Sequence, residues 1–265
     1  FGDRSGGHIC MQESRDGSQA LNGCVALVTG GAGGIGSAIC RHLAEAGATV
    51  IVTFNANHQR AQALVRELPG DGHLVVRMQV DDSETIANVV SQVAERFGRL
   101  DILVNNAGTT RFVRHDDLDD LDDETIDRIF RVNLRGAFAC VRAFRPLLSA
   151  SGDGLVVNIS SIAGLIAYGS NVAYCASKAA LDNMTVSLAR VLAPDTRVVA
   201  IAPGLIDGEY ARSFDTAWRQ AQIDRTPLQR LALPEDVARA VVATATLLTH
   251  STGIVLPVDG GRLIV

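Results

Sequence analysis

Lysine is all but missing from this sequence. Of 24 basic residues, 23 are arginine and one, Lys178, is lysine. Arginine serves for surface charge and salt bridges but keeps its proton in a protein, whereas a lysine ammonium can be tuned by its surroundings. The single lysine stands four residues after Tyr174, in Ala173-Tyr174-Cys175-Ala176-Ser177-Lys178. With three tyrosines in the chain, a randomly placed lysine would fall there in roughly 1% of cases. Other absences narrow the possibilities. No tract of eighteen apolar residues occurs, so no membrane-spanning helix is expected. The net charge of −5 argues against a nucleic-acid partner, which would call for a basic patch. The six histidines show no HExxH or paired-ligand spacing, so no metal is expected. Cysteines 10, 24, 40, 140 and 175 are odd in number and scattered without CxxC spacing, a pattern that points to reduced thiols and a cytoplasmic protein.

With 47% hydrophobic and 20% charged residues, a chain of 265 residues is long enough to bury a sizeable core. Residues 1–20 are rich in glycine, serine and charge, lack the apolar core of a signal peptide, and read as a flexible tail. Phe1 to Cys10 read as vector-derived, with Met11 as the natural start. From Cys24 onward short β-branched runs alternate with segments of helical period, the pattern of repeated βαβ units and a parallel sheet. Strands are expected at Cys24–Thr29, Thr49–Phe54, Leu74–Val80, Ile102–Asn105, Leu155–Ser160, Arg197–Ile201 and Ile254–Val258. Helices are expected near Ile35–Ala46, His58–Glu67, Ser83–Phe97, Glu124–Leu148, Val172–Leu192 and Pro234–Leu248. The stretch Leu205 to Arg230 breaks this rhythm, is too long for an ordinary connection, and reads as a lid. The acidic run from His115 to Glu124 fits no calcium loop and reads as the solvated cap of the long helix.

In an open parallel sheet, ligands bind outside the carboxyl ends of the strands. After the first strand comes Thr29-Gly30-Gly31-Ala32-Gly33-Gly34-Ile35-Gly36, running into a helix. Glycines allow a tight turn and close approach of a pyrophosphate, and a helix N-terminus offers N–H groups and a positive dipole end, so the loop points to a dinucleotide. An NAD site would place Asp or Glu at the end of the second strand. Phe54 and Asn55 stand there, with no carboxylate to repel a 2′-phosphate and Arg60 close in sequence, which favours NADP over NAD. Later strand ends carry Asp81, then Asn105-Asn106-Ala107-Gly108, then Asn158-Ile159-Ser160-Ser161, then Pro203-Gly204, with Asn133 inside the long helix. Taken singly, each has a plain structural reading: Ser161 as a turn residue, Asn133 as a helix-interior residue satisfying backbone, Asp81 as a neighbour of a helix cap.

Together with Tyr174 and Lys178, these motifs resemble the short-chain dehydrogenase/reductase family over about Leu21 to Val265. The glycine loop matches that family's TGxxxGxG, residues 105–108 its NNAG, and Ser161 stands thirteen residues before the tyrosine. The closest resemblance is to 3-oxoacyl-carrier-protein reductases and similar ketoreductases, through Pro227-Leu228-Gln229-Arg230-Leu231 and Val258-Asp259-Gly260-Gly261. The resemblance implies one Rossmann-type doubly wound α/β domain, residues 21–265, with a seven-stranded parallel sheet flanked by helices. It implies an NAD(P)-dependent oxidoreductase passing hydride between nicotinamide and a ketone or secondary alcohol, and a homo-oligomer, expected to be a tetramer. Gly30, Gly33, Gly34, Ile35 and Gly36 would wrap the pyrophosphate, and Phe54 and Asn55 would border the adenosine ribose. Asp81 would meet the adenine amino group, and Asn106, Ala107 and Gly108 the ribose. Pro203, Gly204 and Ile206 would border the nicotinamide. Gly208 stands where the family often has a threonine. Tyr174 would be the general acid/base, Ser161 would hold the carbonyl oxygen, Lys178 would reach the nicotinamide ribose, and Asn133 would hold a proton-relay water.

The small-molecule substrate is expected to be largely apolar or small and cyclic, because Leu165 and Ile166 and the lid's Leu205, Tyr210, Phe214 and Trp218 would line its pocket. A carrier-protein substrate is the alternative: Arg128, Arg131, Arg135 and Arg190 are available, but the connection from Ser149 to Gly154 holds no positive residue. A nucleotide-sugar epimerase would use a TGxxGxxG loop, which is absent, and a non-catalytic dinucleotide sensor would be expected to lack part of the Asn133, Ser161, Tyr174 and Lys178 set.

Overall fold

A computed structural model of the chain describes residues 19–265. Most of the expected N-terminal tail, with Cys10 and Met11, lies outside the described residues. Seven strands form one sheet: β1 (Val25–Val28), β2 (Thr49–Phe54), β3 (Leu74–Arg77), β4 (Ile102–Asn105), β5 (Gly154–Ile159), β6 (Thr196–Pro203) and β7 (Val255–Val258). Their order is β3-β2-β1-β4-β5-β6-β7, and every pairing is parallel. Each expected strand is found, with ends shifted by a few residues.

Period-two alternation sends strand side chains to two separate cores. Ala26, Val28, Val50, Val52, Ile102, Val104, Val157 and Val199 face one way. There they meet α1 (Gly34–Glu45), α2 (His58–Glu67) and α10 (Pro234–Thr246) through Ile39, Leu43, Leu64 and Val241. Leu27, Ile51, Leu103, Val156 and Val198 face the other way. Against them pack α3 (Ser83–Phe97), α5 (Ala137–Ser151) and α7 (Val172–Leu192), with Val89, Phe144, Leu148 and Leu188. Both faces of the sheet are thus covered by apolar helical stripes, the doubly wound α/β arrangement.

The expected single helix over residues 124–148 is divided. α4 (Asp123–Phe130) passes into a π-helical turn, Arg131–Gly136, and then into α5. Gly136 lies against the strand-end segment: a Cβ there would come within 2.8 Å of Val80 Cγ2. The acidic run does cap α4, as Asp122 Oδ1 accepts from Thr125 N at 2.7 Å. The expected lid holds two short helices, α8 (Glu209–Arg212) and α9 (Thr216–Asp224), while α6 (Ala163–Ile166) follows β5. A short 3-10 turn, Arg262–Ile264, ends the fold.

Cys40, Cys140 and Cys175 are free and buried, and Cys24 is disulfide-bonded, which corrects the expectation of reduced thiols throughout. Among the described residues no helix is long and apolar enough to cross a membrane, and no group of three or more His, Cys, Asp or Glu could hold a metal.

Phe144 is fully enclosed between α5 and the sheet. Phe144→Ala should cost about 3–5 kcal/mol in urea unfolding; a loss under about 1 kcal/mol would show that this face can collapse around the cavity.

Candidate active site

The strand order reverses between β1 and β4, which opens a crevice at their carboxyl ends. The glycine loop and the 105–108 segment meet there. Asn106 Nδ2 donates to the carbonyls of Thr29 (2.9 Å) and Gly30 (3.2 Å), and Thr29 Oγ1 accepts from the backbone N–H of Asn106 and of Ala107, both at 2.9 Å. Gly30 adopts φ +62°, open to glycine at little cost. A Cβ on Gly36 would run into the Gly30 carbonyl and lie 2.7 Å from Asn106 Nδ2, whereas one on Gly34 would meet nothing within 4 Å. Helix α1 begins after Gly33 with no side-chain cap, so its N-terminal dipole end is left to an external anion. A tight turn, an open face at Gly34 and an uncapped helix start fit a dinucleotide pyrophosphate.

At the end of β2, half-buried Phe54 leans on His58 at 5.1 Å between ring centroids, and the exposed Asn55 offers its carbonyl to Arg77 Nε at 3.3 Å. Arg60 lies 3.6 Å from Glu209 Oε1 on α8, so it faces the lid. Asp81 is half-buried: its Oδ2 accepts from Arg131 Nε at 3.3 Å, and its backbone carbonyl from Arg135 at 2.7 Å. Pro203 closes β6. Gly204 N donates to Val258 O at 3.0 Å, and a Cβ on Gly204 would press on Asp259 Cα at 2.9 Å. Ile206 bridges to Ala232, and the space about Gly208 is nearly empty.

Helix α7 carries Tyr174 and Lys178. Asn171 caps it, accepting from Tyr174 N at 2.7 Å, and ties the cap to the β4–α4 connection by donating to Arg111 O at 2.7 Å and Thr110 Oγ1 at 3.2 Å. Lys178 is only 5% exposed. Its Nζ donates to Ile159 O at the end of β5 (2.8 Å) and sits 5.7 Å from the Tyr174 ring centroid. Burial pulls the ammonium pKa from 10.5 down to about 8, against the opposing charge of Asp182 one turn along. The same burial pushes the Asp182 carboxyl up, against pulls from Ser160 and Lys178.

Asn133, 2% exposed, sits in the π-turn. Its Oδ1 accepts from Thr109 N at 2.8 Å, and its Nδ2 donates to Thr109 O at 3.0 Å and Ser177 Oγ at 3.2 Å. Ser177 Oγ in turn donates to Tyr174 O at 2.8 Å. Gly108 lies beside both side chains, since a Cβ there would make ordinary contact with Asn133 Oδ1 at 3.4 Å and Lys178 Nζ at 3.9 Å. Ser161 is half-buried just past β5, and its Oγ accepts from Ala163 N at 3.1 Å, so its hydroxyl proton stays available to donate. Ser161 and Asn133 therefore also do what their plain structural readings required.

Asn171 and Phe112 escaped the sequence reading. Asn171 carried a signal, standing directly before a helix where an Asx cap is favoured. Phe112 carried none: it lies in an irregular connection, half exposed, edge-on to Phe214 at 5.5 Å, while Phe214 stacks on Trp218 at 4.2 Å. Leu165 and Ile166 on α6 are exposed.

A family model described as short chain dehydrogenase matches residues 24–218. The chain is 36% identical over 252 residues to 3-oxoacyl-acyl-carrier-protein reductase FabG of Thermotoga maritima, covering 92% of this chain and 99% of that one. It is 37% identical over 241 residues to cis-4-hydroxycyclohexanecarboxylate dehydrogenase of Sinomonas cyclohexanicum, covering 89% and 95%. The crystal structure of a Burkholderia xenovorans protein assigned to the short-chain dehydrogenases/reductases superposes with a TM-score of 0.84 at 36% identity, covering 91% and 98%. With the parallel doubly wound sheet and the site at its strand ends, these likenesses identify the chain as a member of the short-chain dehydrogenase/reductase family, NAD(P)-dependent oxidoreductases acting on CH–OH groups.

Proposed function

We propose that residues 21–265 act as one unit reducing a ketone, or oxidising the matching secondary alcohol, with Tyr174 as general acid/base. The observation that carries this reading is the buried Lys178 ammonium 5.7 Å from the Tyr174 ring. A phenol free in water titrates near pH 10, and an adjacent positive charge favours phenolate. Bound dinucleotide supplies or takes up the hydride. Gly30, Gly33, Gly34, Ile35 and Gly36 hold its pyrophosphate, Phe54, Asn55 and Asp81 its adenosine, and Asn106, Ala107 and Gly108 its ribose. Pro203, Gly204 and Ile206 border the nicotinamide. In the reducing direction Ser161 donates to the carbonyl oxygen, Tyr174 O–H delivers its proton to that oxygen, and the phenolate is reprotonated through Lys178 and a water held at Asn133.

NADP is favoured over NAD because no carboxylate stands at 54 or 55; a 2′-phosphate would compete with Glu209 for Arg60. The ring cluster of Phe112, Phe214 and Trp218 and the exposed Leu165 and Ile166 on α6 favour an apolar or cyclic substrate. The relative named for a hydroxycyclohexanecarboxylate supports that class. The relative named FabG keeps carrier-protein substrates as a second reading. Against it, Arg131 and Arg135 are engaged with Asp81 and the 149–154 connection is without positive charge. A cytoplasmic location is proposed on the free thiols of Cys40, Cys140 and Cys175, with the Cys24 disulfide as the observation against it.

A homotetramer is proposed on the groove lined by Phe130, Leu134, Phe138 and Met184 between the α4–α5 segment and α7, an apolar surface that a second copy would cover, and on the exposed end Ile264-Val265.

Tyr174→Phe should lose about 10²–10⁴-fold in kcat on a panel of cyclic and aliphatic ketones, tested with NADPH and NADH, while calorimetry finds dinucleotide affinity kept. Unchanged turnover would remove the proposed proton donor. Lys178 gives a stability signature. Its folded pKa of about 8 lies below the ordinary 10.5, so between those values the unfolded chain holds the extra proton and this group's contribution to stability rises with pH. From pH 8 to 10.5 wild type should gain on Lys178→Met by on the order of 3 kcal/mol, read by urea unfolding; parallel profiles would show that the ammonium is not strained by burial. Phe138→Asp should split the tetramer in analytical ultracentrifugation, and a monomeric wild type would refute the assembly.

A further inference from the structure

The π-helical turn between α4 and α5 reaches both ends of the crevice. Its middle residue, Asn133, points inward to Thr109 and Ser177. Arg131 and Arg135 flank it at positions i and i+4 of each other, a spacing that puts two side chains on one face of a helix. Both turn to Asp81. Arg135 holds the Asp81 backbone carbonyl at 2.7 Å, and Arg131 Nε takes Oδ2 at 3.3 Å, the ion pair Asp81 makes among the described residues. The surrounding backbone is fixed as well. Thr85 Oγ1 donates to Gln79 O at 2.9 Å and accepts from Gln79 N at 3.0 Å, Asp82 caps α3, and Gly136 abuts Val80. A carboxylate whose backbone and one oxygen are held has its second oxygen aimed.

We propose that Arg131, with Arg135 beside it, is a positioning residue that orients Asp81 and so sets how strongly the chain favours a 6-amino purine over a 6-oxo purine on its dinucleotide. The inference rests on Asp81 being the contact to the adenine amino group. An amino group donates to a carboxylate oxygen, whereas the 6-oxo group of hypoxanthine presents lone pairs to it. Discrimination of this kind depends on the acceptor being held where the donor arrives, because a swivelling carboxylate could turn aside from the oxo group.

The test is calorimetric binding of the whole chain to its preferred nicotinamide adenine dinucleotide and to the hypoxanthine analogue of the same dinucleotide. Wild type, Arg131→Leu, Arg131→Gln, Arg131→Lys and Asp81→Ala are compared, each first checked for native circular dichroism. Wild type should bind the adenine form about tenfold more tightly. Arg131→Leu and Arg131→Gln should each shrink that ratio about threefold to fivefold, with kcat at saturating dinucleotide within about twofold, and Arg131→Lys should recover part of it. Asp81→Ala should erase it. If the arginine variants weaken both dinucleotides equally, or leave the ratio intact while Asp81→Ala erases it, Arg131 does not position Asp81, although the Asp81 contact stands. A ratio untouched by Asp81→Ala overturns the contact and the inference together.

Discussion

One buried cation organises the candidate active site of this protein. Lys178 enters the interior on α7 and finds one backbone carbonyl, that of Ile159, at 2.8 Å. Taking an ammonium out of water is unfavourable unless it is paired and hydrogen-bonded, and the fall of its pKa to about 8 measures how incompletely that is met. Arginine would not substitute: its planar guanidinium keeps its proton, whereas the lysine ammonium is tuned by its surroundings. The proposed chemistry, a cation beside a phenol, accounts for the position of the sole lysine.

The sheet fixes that cation relative to the cofactor crevice. Ile159 ends β5, and β5 pairs in register with β4, Asn105 opposite Asn158. Asn105 Nδ2 donates to Asn158 Oδ1 at 2.9 Å, and Asn158 Nδ2 passes the chain to Thr185 on α7 at 2.9 Å. One residue on, Asn106 clamps the glycine loop. A hydrogen-bonded line therefore runs from the loop after β1 to the helix holding Tyr174 and Lys178. The distance between the two halves of the site is set by strand spacing and not by flexible loops.

Regular periodicity made the fold legible. Four-residue strands such as Ile102–Asn105 and long helices such as Ser83–Phe97 announce themselves through β-branched runs and apolar stripes, because each must bury a face on a neighbour. The π-turn was not legible. Arg131–Gly136 continues the helical pattern with no residue type specific to a widened turn, and the turn is tied by contacts distant in sequence, Gly136 on Val80 and Asn133 on Thr109. The candidate site was legible in residue types at strand ends, since those types answer to local geometry: glycine to close approach, asparagine to bridging backbone. What escaped depends on contacts far apart in sequence, such as Phe112 against Phe214 and Arg131 against Asp81.

Several unfavourable placements of the fold gather in one region. Lys178 and Asp182 are buried with shifted pKa values, Asn105 Oδ1 has no hydrogen-bond partner among the described residues, and Ser160, Asn133 and Ser177 are polar and enclosed. Elsewhere the two apolar cores are largely aliphatic, Val and Ile on the strands and Leu and Ala on the helices, with Asp101, Thr196 and Thr244 among the buried polar residues outside the site. Burying polar groups costs stability unless every one is satisfied, so a sequence shaped by stability alone would spread them toward the surface. Their concentration around α7, β4 and β5 separates two duties. The aliphatic cores on both faces of the sheet hold the fold, and that margin lets one seam between strand ends and α7 retain the charges and donors that the proposed acid/base chemistry requires.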